Sequence, residues 1–117
     1  MGDTQPLPDD ALVIRGGRIK GENLQNGCAP HPEGVHGFSV QSAPAKTVEE
    51  LVRAGKIPHS QLGVTTVGEI RKLGYDVVPT SGLGFHATVR VPTNWSATAA
   101  EAMAGAFNPT INQWRGR

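Results

Sequence analysis

The apolar positions of this chain fall into short runs that glycine and proline separate. A run of roughly four to eight apolar residues, or a strict alternation of apolar and polar residues, is typical of a strand. The pattern predicts strands at residues 11–15, 36–41, 61–64, 76–79 and 85–91. The last two strands flank the turn at residues 80–84, which favours a hairpin.

Three further segments carry the signal of a helix start. In a capping box, a threonine and a glutamate three residues later each accept a hydrogen bond from the other's backbone N–H. This spacing occurs in the pairs Thr47 and Glu50, Thr66 and Glu69, and Thr98 and Glu101. We therefore predict three short helices, of which the first ends at Gly55, the second at Gly74 and the third, within residues 95–107, at Asn108-Pro109.

Strands and helices intermix along the chain without the regular alternation of a doubly wound fold. This order predicts an α+β fold with a small, twisted, mainly antiparallel sheet and about three short helices. A length of 117 residues suits one domain. We place a flexible lead at residues 1–10, the compact domain at 11–108 and a tail at 109–117, with a long polar connection over 19–34.

Composition narrows the classes of function. The chain has 11 Lys and Arg against 10 Asp and Glu, a net charge of +1, which lacks the basic excess of sequence-independent nucleic-acid binders. The N-terminal residues show no secretory pattern and no apolar run suits a membrane span. Since Cys28 is the only cysteine, no disulfide forms within the chain. We expect a cytoplasmic protein without membrane contact.

Arg15 stands at the end of the first predicted strand and is followed by Gly16 and Gly17. From this position a guanidinium can bind a phosphate or carboxylate in a bidentate manner, with help from the two glycine N–H groups. The alternative is an exposed arginine at a strand end. Ser39 lies in the second predicted strand, on the face opposite Phe38.

Alternation places His86 on one face of its strand together with Thr88 and Arg90. This row suits general acid–base catalysis at a phosphate, and it equally suits a solvated outer face. The histidines and the one cysteine match no zinc spacing, so we predict no metal site.

The combination of Arg15-Gly16-Gly17, Gly37-Phe38-Ser39-Val40 and His86 in a later strand resembles small bacterial polymorphic-toxin domains of the ADP-ribosyltransferase type. The resemblance implies that Arg15, with Gly16 and Gly17, binds NAD, and that Ser39 supports the nicotinamide side of the pocket. It places His86 beside the site, and we take Ser39 and His86 as the catalytic candidates. It also implies a cognate immunity protein, or another protein, as partner.

One departure from the family concerns its late glutamate, often in a Glu/Gln-x-Glu motif, which orients the ribose and stabilises the oxocarbenium-like transition state. After Glu69 the only glutamate is Glu101, in the last predicted helix. Two other functions therefore stay open. One is a metal-independent ribonuclease that uses His86 and Arg15. The other is a non-catalytic module that binds a protein through Trp95, Trp114 and the apolar last helix.

Overall fold

The computed structural model describes residues 6–30, 34–80 and 83–114. Parts of the predicted lead, of the 80–84 turn and of the tail lie outside these residues. Seven strands and four helices occur in the described part, in the order β1 (Leu12–Gly16), α1 (Gly21–Asn26), β2 (Ala29–Pro30), β3 (His36–Ser42), α2 (Val48–Gly55), β4 (Gln61–Thr66), α3 (Val67–Lys72), β5 (Asp76–Pro79), β6 (His86–Arg90), α4 (Ala97–Gly105) and β7 (Asn108–Ile111).

The strands form one sheet in the order β5-β6-β3-β1-β4-β7, and β2 pairs with β3 beside this path. Every strand pair in the described residues is antiparallel. The predicted hairpin is present as β5 and β6, with Val77 opposite Val89. The α+β fold with a mainly antiparallel sheet is thus confirmed, with one helix more than predicted.

Each face of the sheet is covered by helices. Alternation along β3 and β6 directs Phe38, Val40, Ala87 and Val89 to one face, where they pack with buried residues of α1, α3 and α4. The hydrophobic cluster on the other face is smaller, and in it Ile14 of β1 packs against α2. Ser39 and His86 occupy the alternate positions of their strands, so they lie on the α2 side of the sheet.

Helix starts follow the predicted caps in two of three cases. The complete capping box forms between Thr47 and Glu50, and the Thr66 hydroxyl accepts from the N–H of Glu69. The cap predicted at Thr98 is wrong, because Ser96 caps α4 by accepting from Ala99 N. A serine two residues earlier satisfies the same orphan N–H groups and starts the helix there.

The long connection predicted over residues 19–34 contains α1 and β2. Helix α1 has no side-chain cap at Lys20, and Leu24 is its one large buried residue. It is held mainly by packing against α4, a tertiary contact that leaves no local pattern in the sequence.

Residues beyond both predicted domain ends also take part in the fold. Leu7, in the expected lead, is buried in the core, and the carbonyl of Asp9 accepts from Gly68 N. In the expected tail, β7 pairs with β4, with Pro109 opposite Gly63. Proline is tolerated there because β7 is the edge strand of the sheet. Asn112 beyond it is also buried.

Candidate functional site

The site lies where β1 and β3 separate. Their pairing is limited to Val13 opposite Ser42 and Ile14 opposite Gln41, and β2 takes over the same edge of β3 at Gly37. Among the described residues, no strand pairs with the intervening stretch of β3 on this edge. A cavity of about 270 Å³, here called the β1–β3 cavity, opens at this gap. It is lined by Ile14, Arg15, Gly16, Ser39, Val40, Gln41, Ile57, His59 and His86.

Arg15 fills the gap between the strands. Its Nη1 donates to the carbonyl oxygen of Ser39 at 2.7 Å, where a neighbouring strand would otherwise donate. Its guanidinium carbon lies 5.4 Å from the centre of the Phe38 ring, and a side chain at Gly27 would collide with Nη2. Burial lowers the pKa of the guanidinium, and the nearby Cys28 thiol opposes this effect. Arg15 still carries its charge at neutral pH.

Ser39 and His86 are neighbours across the β3–β6 pair. The Oγ of Ser39 lies 3.1 Å from Nε2 of His86, and Nδ1 of His86 lies 2.7 Å from Oγ1 of Thr80. Thr80 also contacts the hydroxyl of Thr88, at 3.0 Å. Both ring nitrogens of His86 are therefore engaged, and the ring is held between the Ser39 hydroxyl and the half-buried Thr80, which in turn contacts the buried Thr88.

His59 brings a second imidazole to the cavity. It lies on the loop between α2 and β4, and its ring rests against the backbone of Gly16, where a Cβ would collide with it and lie 2.7 Å from Cγ2 of Ile57. The buried Asn112 holds this loop, since its Nδ2 donates to the carbonyls of His59 at 2.8 Å and Ile57 at 3.2 Å. The segment after β7 thereby fixes one wall of the cavity.

Gln41 fixes the residues that lead into β6 and His86. Its Nε2 donates to the carbonyl of Leu83 at 3.0 Å, and its Oε1 accepts from Phe85 N at 2.7 Å. The amide thus acts like a short piece of strand for the residues that precede β6. The adjacent Gly84 has φ +68 and packs against Ala54 of α2, so a side chain there is excluded.

Arg15, Ser39 and His86, which come from three different strands, all line this one cavity. The guanidinium of Arg15 lies over Phe38 and beside Gly27, on the α1 and α4 side of the sheet, whereas the Ser39 hydroxyl and His86 lie on the α2 side. Gly16 lines the same cavity, and Gly17 follows it with φ +90, its N–H donating to the carbonyl of Gln61. The N–H of Gly17 is therefore engaged in the fold, contrary to the expectation that it would assist a ligand.

Glu101 does not lie in the β1–β3 cavity. Its carboxylate lies beside Gly21, on the face of the sheet that α1 and α4 cover. The described residues that line the cavity include no acidic side chain. Arg15 is the one permanently charged residue among the described lining residues, beside the imidazoles of His59 and His86.

Three residues at the site, His59, Thr80 and Gln41, are not predicted from the sequence. A polar side chain next to a strand end is common, so nothing local marks Thr80 or Gln41. His59 follows Pro58 in a loop, and its one signal is indirect: two successive glycines after Arg15 leave space for a side chain that comes from elsewhere.

Other features of the described residues lie away from the cavity. Trp95 is buried, stacks on Phe38 and donates to the hydroxyl of Tyr75, so it does not form the contact surface expected of a protein-binding module.

No group of three His, Cys, Asp or Glu side chains in the described part of the chain is arranged to hold a metal ion. None of its helices has the length and apolar character needed to cross a membrane.

Comparison with known proteins finds none that is similar to this chain. No protein-family model, no curated protein and no solved structure matches it.

Proposed function

We propose that the β1–β3 cavity binds NAD, as the ADP-ribosyltransferase-like toxin or effector domains that the sequence resembles do. The observation that carries the proposal is the convergence of Arg15, Ser39 and His86 on one cavity. These residues are the ones that the resemblance singles out, and they are distant in sequence. Hydrogen bonds join Ser39 to both of the others, through its carbonyl and its hydroxyl.

The charge of the cavity supports a phosphate-bearing ligand. Arg15, His59 and His86 line it without an acidic residue among the described lining side chains. A guanidinium and imidazole N–H groups are the donors that proteins use for phosphate oxygens. A volume of about 270 Å³ lies just below the range of typical ligand sites, so one part of the dinucleotide occupies the cavity and the rest extends over its rim.

The chemistry at the reacting centre differs from that of the resembled family. A carboxylate that could stabilise a developing oxocarbenium ion is replaced in this cavity by imidazole and hydroxyl groups. We therefore propose dinucleotide binding as the primary activity and assign any turnover to His86. Ser39, which contacts its Nε2, would orient the bound ligand.

The second candidate function is metal-independent cleavage of RNA, and the position of His59 favours it. Two imidazoles that share one cavity with a guanidinium can act as general base and general acid while the cation stabilises the charged phosphorane. In this case His59 and His86 divide the two proton transfers, and Arg15 holds the scissile phosphate.

The two functions separate in a paired assay with EDTA present throughout. The purified chain is incubated with NAD, with nicotinamide release and binding measured, and in parallel with RNA, with fragment size measured. The NAD proposal predicts binding that weakens in Ser39→Ala and persists in His59→Ala. The ribonuclease proposal predicts RNA cleavage that both His59→Ala and His86→Ala abolish.

A histidine outside the cavity supplies the matched control. His36 lies on β3, where its Nδ1 contacts the carbonyl of Val91, and it does not line the β1–β3 cavity. His36→Ala should leave both readouts unchanged. Absence of NAD binding at millimolar concentration together with intact RNA would contradict both functions and leave the protein-binding module.

A further inference from the structure

A chain of polar contacts runs from the core of the protein to the β1–β3 cavity. It passes from Thr88 Oγ1 to Thr80 Oγ1 at 3.0 Å, on to His86 Nδ1 at 2.7 Å, and from His86 Nε2 to Ser39 Oγ at 3.1 Å. Hydroxyls donate and accept, and a neutral imidazole has one nitrogen of each kind. The direction of the chain therefore decides which nitrogen of His86 carries the proton.

The burial of Thr88 determines this direction. Thr88 is 0% exposed, and the Thr80 hydroxyl is the one hydrogen-bond partner of its side chain among the described residues. If Thr88 only accepted, its own hydroxyl hydrogen would be buried without an acceptor, which is costly. Thr88 consequently donates to Thr80, and the hydrogen of Thr80 is directed to Nδ1 of His86.

The lengths of the contacts agree with the same direction. The contact between Thr80 and Nδ1 is short, 2.7 Å, as hydrogen bonds from hydroxyl donors are, which with oxygen acceptors span about 2.5–3.0 Å. The 3.1 Å contact between Nε2 and Ser39 Oγ suits an N–H donor, for which distances are about 2.7–3.2 Å.

We propose that Thr88 and Thr80 are positioning residues that hold neutral His86 in the tautomer with its proton on Nε2, directed to the cavity. Since Ser39 then accepts from His86, the hydrogen of its own hydroxyl is available to a ligand. This end of the cavity then presents the Ser39 hydroxyl as a donor, which selects an oxygen acceptor such as that of a phosphate or a carboxamide. The ligand part of this inference rests on the proposed binding of NAD.

The tautomer is measured directly in the ligand-free protein. In ¹⁵N-labelled protein at about pH 8.5, some two units above the usual histidine pKa of about 6.5, long-range ¹H–¹⁵N correlation distinguishes protonated from unprotonated ring nitrogens. We expect a protonated Nε2 and an unprotonated Nδ1 in His86. A protonated Nδ1 in the wild type would overturn the proposal without need of any variant.

Two substitutions test whether Thr80 sets the tautomer. Thr80→Ser keeps the hydroxyl and should keep the wild-type pattern, whereas Thr80→Val removes it and should raise the population protonated at Nδ1. An unchanged pattern in Thr80→Val would show that Thr80 does not control His86. Thr88→Val removes the first donor of the chain, and it provides the same comparison if Thr80→Val does not fold.

The ligand part has a separate readout. NAD should bind Thr80→Val about twofold to tenfold more weakly than Thr80→Ser, which corresponds to the loss of one hydrogen bond. Equal affinity of the two variants would overturn the ligand part. If the wild type does not bind NAD at all, the proposed function fails, whereas the tautomer stands or falls on its own measurement.

Discussion

The guanidinium of Arg15 donates from Nη1 to the carbonyl oxygen of Ser39 at 2.7 Å, across the gap where β1 and β3 separate. The side chain with the best phosphate-binding chemistry in the cavity therefore also completes the sheet. Loss of activity on substitution of Arg15 alone would not separate these two roles. Stability has to be measured beside binding.

Arg15→Ala should lower the free energy of unfolding by about 1–3 kcal/mol, because it leaves the Ser39 carbonyl without its donor and removes the contact with Phe38. Urea unfolding followed by fluorescence measures the change. Ser39→Ala is the matched control, since it keeps that carbonyl and should cost less than about 1 kcal/mol. Equal stabilities of the wild type and Arg15→Ala would contradict a structural role for the guanidinium.

Asn112→Ala should loosen the wall of the cavity that carries His59. It removes the donor to the carbonyls of His59 and Ile57, and it removes the Oδ1 that accepts from Trp114 N at 3.1 Å. We expect a loss of about 1–3 kcal/mol in stability and faster hydrogen exchange at the Trp114 amide.

Asn94→Ala, in an exposed turn, is the comparison for Asn112→Ala and should leave both quantities unchanged. Slow exchange at Trp114 that survives the loss of the Asn112 side chain would show that another contact holds this segment.

Thr65→Val should stabilise the protein by up to about 1 kcal/mol. Thr65 is buried in β4, and its Oγ1 has no hydrogen-bond partner in the described part of the chain. Valine has nearly the same shape and removes the cost of burying this hydroxyl. Thr88→Val is the opposite case, because its hydroxyl reaches Thr80, and it should be destabilising. Denaturation midpoints of the two variants should therefore lie on opposite sides of the wild type.

The capping box of α2 should give a dependence of stability on pH. The N–H of Thr47 donates to Glu50, which lowers the pKa of this carboxyl. The pKa is lower in the folded than in the unfolded state, so the contribution is present above the unfolded value of about 4.3 and is lost as the pH falls through the folded value.

Glu50→Gln should flatten the dependence of stability on pH in this acidic window. At pH 7 its free energy of unfolding should fall only by the part that the carboxylate charge contributes, because glutamine still accepts from Thr47 N. Chemical unfolding of both proteins from pH 3 to pH 6 measures the difference. Identical slopes would show that Glu50 is not held in the box in solution. Thr47→Ala should cost about 1 kcal/mol at neutral pH, since it removes the other half of the cap.

Local signals account for the parts of the fold that the sequence predicts correctly. Alternation in the segments of β3 and β6, and threonine–glutamate spacing at α2 and α3, involve residues within one or two turns of each other. Helix α1 and strand β7 depend instead on distant partners. The first packs on α4, and the second pairs with β4 through a segment that contains Pro109.

The candidate site shows the same division. Arg15, Ser39 and His86 are recognisable because each lies in or at the end of a strand with a regular pattern. His59 enters only because Asn112, more than fifty residues later, holds its loop against Gly16. No local pattern encodes such a long-range contact, so the second imidazole of the cavity follows from the structure alone.

The most direct test of the proposed function is an NMR titration of ¹⁵N-labelled protein with NAD, followed through the amides of Gly16, Gly17, Ser39 and His86. We predict saturable shifts confined to these residues and their neighbours on the β1–β3 cavity, with weaker binding in Ser39→Ala. Unchanged spectra at millimolar NAD, with the fold intact, would contradict the assignment of the cavity to a dinucleotide.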